Sequence, residues 1–403
     1  MPGRAIRARE ARCAGPEVSA PALRPGLAVV VREWGRIGCI GFGGPPAHIA
    51  LLRDLCVTRR GWLDDREFED AIAATNLLPG PASTQLAIYC AWRLRGIPGA
   101  LVGGVGFILP GLILILALAA LFLAASPPDL VLGAGAGSGA AVAAVAVQAA
   151  AGLAPASWRR AADRARWIAY LFAGGFAAAT LGSRLVLVLL GCGAIEIALR
   201  RVRSPGPGAA GIHAWPPLVA AASATGGLLA LAWVAFKVGA LSYGGGFVII
   251  PLMQHDAVDT YHWMTDGQFL NAVALGQVTP GPVVQTVAVV GYAAAGIGGG
   301  LLAALVAFAP SFSFIFVGAE RFDRLRANQS VRAFLNGAGP AAIGAIAGAA
   351  IPLALAPTES WQLAVLAAAA IALLVLRRGV VLTLIAAGGA GALASALGAP
   401  LPS

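Results

Sequence analysis

The chain repeats itself. Arg36–Phe107 lies over Lys237–Phe308 without a gap. Gly38 falls on Gly239, Phe42-Gly43-Gly44 on Tyr243-Gly244-Gly245, Trp62 on Trp263, Asp65 on Asp266 and Phe68 on Phe269. Pro79-Gly80-Pro81 falls on Pro280-Gly281-Pro282, Gly99 on Gly300 and Phe107 on Phe308. Matches at Gly, Pro, Trp and Asp are not what chance supplies in an apolar chain, so two homologous halves are expected. The expected layout is a basic tail over 1–26, a first repeat over 27–205 and a second over 206–403.

Composition says where such a fold can exist. Of 403 residues, 59% are hydrophobic and 11% charged, with a mean hydropathy of +0.81. A soluble domain is about 25% charged. The deficit excludes a disordered chain, a nucleic-acid-binding domain and most soluble enzymes. What remains is an all-α polytopic membrane protein, with apolar spans of about 20 residues in contact with the lipid bilayer. The 53 glycines and 26 prolines fit close helix packing and broken or re-entrant helices. The net charge of +10 does not argue for nucleic acid, because the basic residues lie between apolar runs. The cysteines form no C-x-x-C pair and the histidines no ligand spacing, so neither metal nor cofactor is expected. Arg4, Arg7, Arg9, Arg12 and Arg24 make the tail a cytoplasmic segment and not a signal peptide, since Arg32 and Glu33 interrupt the first apolar stretch.

Loop charge predicts how the halves are related. Arg53, Arg59, Arg60 and Arg66 crowd one first-half loop, whereas its counterpart, 254–267, holds no Lys or Arg. Arg93 and Arg95 likewise match Ala294 and Gly296. Basic residues mark cytoplasmic loops, so equivalent loops are expected on opposite sides of the membrane. The expectation is an inverted-topology repeat, as in many secondary transporters. Segments such as 68–95 can be re-entrant and need not cross.

Each half carries two interruptions in apolar surroundings: Gly41–Pro46 and Asn76–Pro81, then Ser242–Gly246 and Gln277–Pro282. Proline stops a helix and glycine permits a turn at positive φ. Pro81 and Pro282 suit the first position of a restarting helix. Free amide groups at helix starts bind anions. Polar side chains flank the breaks: Asn76 and Gln277 before, Ser83, Thr84 and Gln85 after, and Gln285 and Thr286 in the second half. An oxyanion cage between the halves is therefore expected. Its candidate residues are Arg36, Gly43, Gly44, Pro45, Asn76, Pro79, Gly80, Pro81, Thr84, Gln85, Lys237, Tyr243, Gly244, Gly245, Gln277, Pro280, Gly281, Pro282 and Gln285. Arg36 and Lys237 are equivalent intramembrane cations. They either draw the anion in or snorkel to an interface, with Arg36 pairing with Glu33 as a further alternative. His48 reads as an interior histidine before it reads as a proton carrier. Asp65 and Asp266 read as N-caps before they read as proton-coupling carboxylates, and Glu196 as an i, i+4 partner of Arg200.

These residues resemble the chromate ion transporter family in its long two-domain form. The resemblance rests on Gly41-Phe42-Gly43-Gly44-Pro45 with Ala47-His48-Ile49, and on Asn76 to Pro81 with Gln85, Ala87, Tyr89, Gly96, Gly99, Phe107 and Leu109-Pro110. The second half adds Tyr243–Gly246, Pro251-Leu252, Pro280–Pro282, Gly291-Tyr292, Gly296 and Pro310. It implies a multi-pass carrier of the bacterial inner membrane that exports chromate on an ion gradient without ATP. Sulfate, also a tetrahedral dianion, is the natural competitor, and homo-oligomers fit the reading. Tyr243 stands where the family usually has phenylalanine. A membrane enzyme is disfavoured: no Ser/His/Asp set, H-E-x-x-H or flavin fingerprint is present. A passive anion channel would use the same cage.

Overall fold

The computed structural model describes residues 25–76, 78–124, 126–161, 163–181, 185–203, 227–242, 249–319 and 328–401. Most of the tail and the junction between the expected halves lie outside them. Every regular element among the described residues is helical. Four helical segments are long and apolar enough to cross a membrane: Ala82–Phe122, Asp129–Arg160, Val283–Gly318 and Gln329–Leu355. The chain is an all-α polytopic membrane protein.

The first half opens with short helices in pairs. Helix α1 (Leu27–Ile40) ends at the glycine break, and α2 (Pro45–Arg53) runs on into a π-helical turn, Asp54–Arg59. Helix α3 (Asp65–Thr75) stops before Pro79-Gly80-Pro81, and α4 (Ala82–Phe122) restarts there. The 14 residues of α1 and 11 of α3 rise only ~21 and ~16 Å, too little for a ~30 Å core. Their polar ends meet at one rim. Arg53 bonds Asp65 at 2.6 Å and Glu69 at 2.7 Å, Arg60 bonds Glu33 at 2.8 Å, and Arg93 near the end of the first arm of α4 bonds Glu67. These arms enter and leave at the same rim, with the breaks at their tips.

Helix α4 folds back on itself at Arg95 and Gly96, the glycine at φ +62. Its two arms touch through glycine: a Cβ built on Gly99 would lie 2.3 Å from Ala91 O. The second half repeats the sequence of elements. Helix α9 (Leu228–Leu241) leads to a break, then α10 (Ile249–Gln254) and a π-helical turn, His255–Thr260. Helix α11 (Asp266–Val278) precedes the second Pro-Gly-Pro, a 3-10 turn Val283–Gln285 and α12 (Thr286–Gly318), bent at Gly296 with φ +60. The ungapped register of the sequence match breaks here. Gly96 answers to Gly296, not Ile297, because the second half spends two residues between Pro282 and Gln285 where the first spends three between Pro81 and Gln85. A tight 3-10 turn absorbs the difference. The long second arms of α4 and α12 pack antiparallel, with Gly104 against Phe312 and Gly300 against Leu116.

The remaining helices are α5 (Asp129–Ala140), α6 (Val142–Arg160), α7 (Arg164–Thr180), α8 (Leu185–Arg203), α13 (Gln329–Leu355), α14 (Ser360–Ala370) and α15 (Val380–Ala396). Small residues let their backbones meet, as expected in a membrane. Helix α13 crosses α7 with Gly344 beside Leu171 O and Gly348 beside Gly175 O, and α15 crosses α5 with Gly391 beside Gly133 O. Each contact joins a first-half helix to a second-half helix.

Several local expectations are corrected. Asp64 and Thr265, not Asp65 and Asp266, cap α3 and α11, accepting from Glu67 N at 2.6 Å and Gln268 N at 3.3 Å. A cap must sit half outside the helix on extended backbone, and those residues do. Pro81 and Pro282 likewise stand at the cap position, on extended backbone, one residue ahead of the place expected. Glu196 turns from Arg200 to Arg166 at 3.2 Å and Tyr170 at 3.1 Å, because α7 offers it partners on a buried face. Glu33 is taken by Arg60 and Arg32, not Arg36.

A methyl group at a crossing should unlock it. A Cβ on Gly174 would lie 1.8 Å from Ala341 O, whereas Gly152 has nothing within 4 Å. Gly174→Ala should cost about 1–3 kcal/mol and lower the melting temperature in detergent. Gly152→Ala should raise stability by about 0.5–1 kcal/mol.

Candidate functional site

The breaks converge inside the protein. Gly281 N, in the second-half Pro-Gly-Pro turn, donates to Gly41 O at the first-half break, at 3.0 Å. His48, fully buried on α2, places Nε2 2.9 Å from the same carbonyl and Nδ1 3.3 Å from Ser83 Oγ. A carbonyl only accepts, so Nε2 carries a proton. Phe107 meets the ring edge to face at 5.0 Å. His48 thus ties both first-half breaks to the second-half turn.

Each Pro-Gly-Pro turn packs against the other half. Gly80 (φ +111) leaves room for nothing larger: a Cβ there would sit 2.7 Å from Gln85 Nε2, 3.1 Å from Gly239 O and 3.5 Å from Ser311 Oγ. Gly111 on α4 presses on the opposite turn, its Cβ position 2.1 Å from Pro280 O and 2.5 Å from Gln285 Oε1. The glutamine amides brace the turns. Gln85 Nε2 donates to Pro79 O at 2.6 Å, and Gln285 Nε2 donates across the halves to Ile108 O at 2.8 Å.

Polar atoms without a partner gather on the same segments. Thr84 Oγ1, Gln85 Oε1, Ser242 Oγ, Gln277 Nε2, Gln285 Oε1 and Ser311 Oγ are buried with no hydrogen-bond partner among the described residues. An unpaired buried polar atom costs about 1–3 kcal/mol, so such a concentration makes these segments the candidate site. Asn271 Oδ1 and Arg166 Nε share the property away from the breaks. Among the described residues no cluster of His, Cys, Asp and Glu could hold a metal ion.

The expected residues divide. Gly80, Pro81, Thr84, Gln85, Gln277, Pro280, Gly281, Pro282 and Gln285 are buried around the two turns. Gly43 and Gly44 take φ +96 and +74 and Pro45 starts α2, with the Cβ position of Gly44 3.9 Å from Val283. Asn76 and Pro79 are exposed beside the first turn. Arg36 is exposed on α1, away from the packed face that carries Trp34, Ile37 and Gly38. Lys237 is buried but its ammonium is paired with Asp256. Tyr243, Gly244 and Gly245 lie outside the described residues. Two buried polar residues were missed. Ser311 follows Pro310 inside a hydrophobic run, and its one signal was a hydroxyl where the first half has Gly111. Asp256 stands where the first half has Leu55, a carboxylate in an apolar register.

Comparison with known proteins decides the family. The sequence pattern described as Chromate transporter matches residues 28–197 and 229–392. The chain belongs to the chromate transporter family. Members are transporters and not enzymes. The chain is 33% identical over 356 residues to a chromate transport protein of Cupriavidus metallidurans, covering 84% of this chain and 85% of that one. It is 29% identical over 340 residues to a chromate transport protein of Pseudomonas aeruginosa, covering 80% of each. An uncharacterized transporter of Methanocaldococcus jannaschii is 25% identical over 307 residues, covering 73% and 76%. No solved structure matches.

The geometry makes His48 a positioning residue for the breaks. His48→Ala strips Gly41 O and Ser83 of a buried partner and should destabilise by about 1–3 kcal/mol, read as a lowered melting temperature in detergent.

Proposed function

We propose that this transporter exports chromate, or a related tetrahedral oxyanion such as sulfate, across the bacterial inner membrane, driven by the transmembrane ion gradient. The observation that carries the reading is the set of unpartnered buried hydroxyls and amide on the facing breaks. A dianion leaving water needs donors on several sides at once, and Thr84, Ser242, Gln277 and Ser311 offer them with the free amides that open α4. Gln85 and Gln285 hold the turns. The names of the relatives support chromate as the cargo.

The halves are read as inverted repeats. The antiparallel packing of the second arms of α4 and α12, which occupy matching places in the two halves, supports this. Alternating access is then a rocking of one half on the other about the shared breaks. Outward movement of a dianion is favoured by an inside-negative potential, about 2.3 kcal/mol per charge per 100 mV. The N-terminus is taken as cytoplasmic from the arginine-rich first loop.

Proteoliposomes loaded with labelled chromate test the reading. Purified protein should release chromate under an imposed ion gradient, and sulfate should compete. Ser311→Ala and Thr84→Val should each weaken apparent affinity about tenfold or more, the cost of one hydrogen bond to a charged ligand. Arg36→Gln should leave affinity unchanged. Full affinity in both hydroxyl variants would remove the cage.

A further inference from the structure

The two halves share a backbone but not a buried charge. In the second half Lys237 and Asp256 pair inside the protein, 7% and 4% exposed. Trp233 lies 5.9 Å from the ammonium. In the first half the equivalent positions are exposed Arg36 and fully buried Leu55. Both halves nevertheless form the same short helix and π-helical turn. That architecture therefore does not need the pair. Burying two charges costs several kcal/mol per ion before their attraction offsets it, and a pair of apolar residues commonly does as well. A charge pair that the fold does not require, inside a membrane protein, points to use.

Its placement shows which use. Lys237 sits on α9, one turn before the helix ends at Ser242. Asp256 sits on the π-helical turn of the returning segment. The pair therefore bridges the segments on either side of the second break. Two residues beyond Lys237, the Gly239 carbonyl touches the first Pro-Gly-Pro turn at Gly80. Ser242 Oγ is one of the unpartnered donors. Separation of the two segments would move both.

We propose that Asp256 is the proton-binding site that couples this transporter to the ion gradient. The inference rests on the transport reading above. The carboxylate, paired with the Lys237 ammonium, takes one proton to become a neutral acid. Lys237 keeps its charge throughout. Protonation removes the attraction between α9 and the π-helical turn and lets them separate, and loss of the proton draws them together again.

The neighbourhood leaves Asp256 and Lys237 as the charges that answer one another. Tyr261 lies within electrostatic reach of Asp256. His255 pairs with Asp259 at 2.9 Å on the exposed side of the same turn. Among the helices packed on these segments, α12 brings Tyr292 as its one titratable residue, α10 none, and α11 only Asp266, at 3.5 Å from Gln254. Helix α13 brings Arg332 at its outer end, and α8 brings Cys192, the arginines of its last turn and Glu196, which Arg166 engages.

The test uses full-length protein in liposomes with labelled chromate and a trapped pH dye. Two readouts are compared: transport driven by a pH difference, and chromate exchange with no gradient. Asp256→Asn should lose gradient-driven transport and proton movement about tenfold or more, and should keep exchange within about twofold. Lys237→Met/Asp256→Leu copies the apolar character of the first half at Leu55. It should melt near the wild-type temperature, exchange chromate and move no protons. Proton-coupled transport retained in the double variant would overturn the proposal and make the pair structural. So would proton-coupled transport retained in Asp256→Asn. Absence of chromate flux in the wild-type protein would instead overturn the transport reading itself.

Discussion

A peptide group pulled out of a helix at membrane depth has no water to turn to, and its partner must be protein. The architecture follows from that constraint. The chain breaks its helices inside the protein, and some of the freed groups are met from the opposite half. Gly281 N finds Gly41 O, and Gln285 reaches Ile108 O. Gly239 O packs on Gly80. Neither half could hold its turns alone at comparable cost. The glycine crossings of α7 with α13 and α5 with α15 bind the periphery in the same crosswise manner.

Within that shared frame the two Pro-Gly-Pro turns have diverged chemically. The second-half turn is closed. Gly111 lies against it without a side chain, Gly41 supplies a backbone acceptor, and His48 locks that acceptor in place. Ser311 Oγ stands beside the first-half turn at Gly80, and in sequence register Ser242 answers to Gly41 and Ile249 to His48. Two hydroxyls thus stand where the other side has bare backbone. A duplicated fold supplies both turns, and side-chain changes leave one braced by backbone and histidine and the other lined by hydroxyls.

Much of this was legible in the sequence, for a physical reason. Proline and glycine act locally, so the breaks and the left-handed glycines within them at 43, 44, 80 and 281 could be read from the chain, whereas the bends at Gly96 and Gly296 were not. The charge deficit set the solvent. Partner choice was not legible, because it depends on which helices meet. Arg36 and Lys237 occupy one register yet lie in opposite environments, and only Asp256, distant in sequence, distinguishes them. Glu196 has an arginine at helical spacing and turns to one on a neighbouring helix instead. The one-residue slip after Pro282 escaped because glycine-rich stretches match in either register, whereas the bend at Gly296 permits one.

The candidate seat holds no free cation among its described residues, and for a carrier that is an advantage. Two opposite charges at 4 Å attract by about 4 kcal/mol at an effective dielectric constant near 20, and a dianion doubles it. A lysine fixed in the seat would hold a dianion too well to release it, and transport needs a site that is easily left as well as easily entered. Hydroxyl and amide donors act differently. Under the proposed reading, each would give up its bond singly as the halves rock apart, with water replacing it. The structure keeps its buried ammonium neutralised by Asp256 and leaves Arg36 on the outside. Affinity then comes from converging dipoles, which a small movement of the turns can make or break.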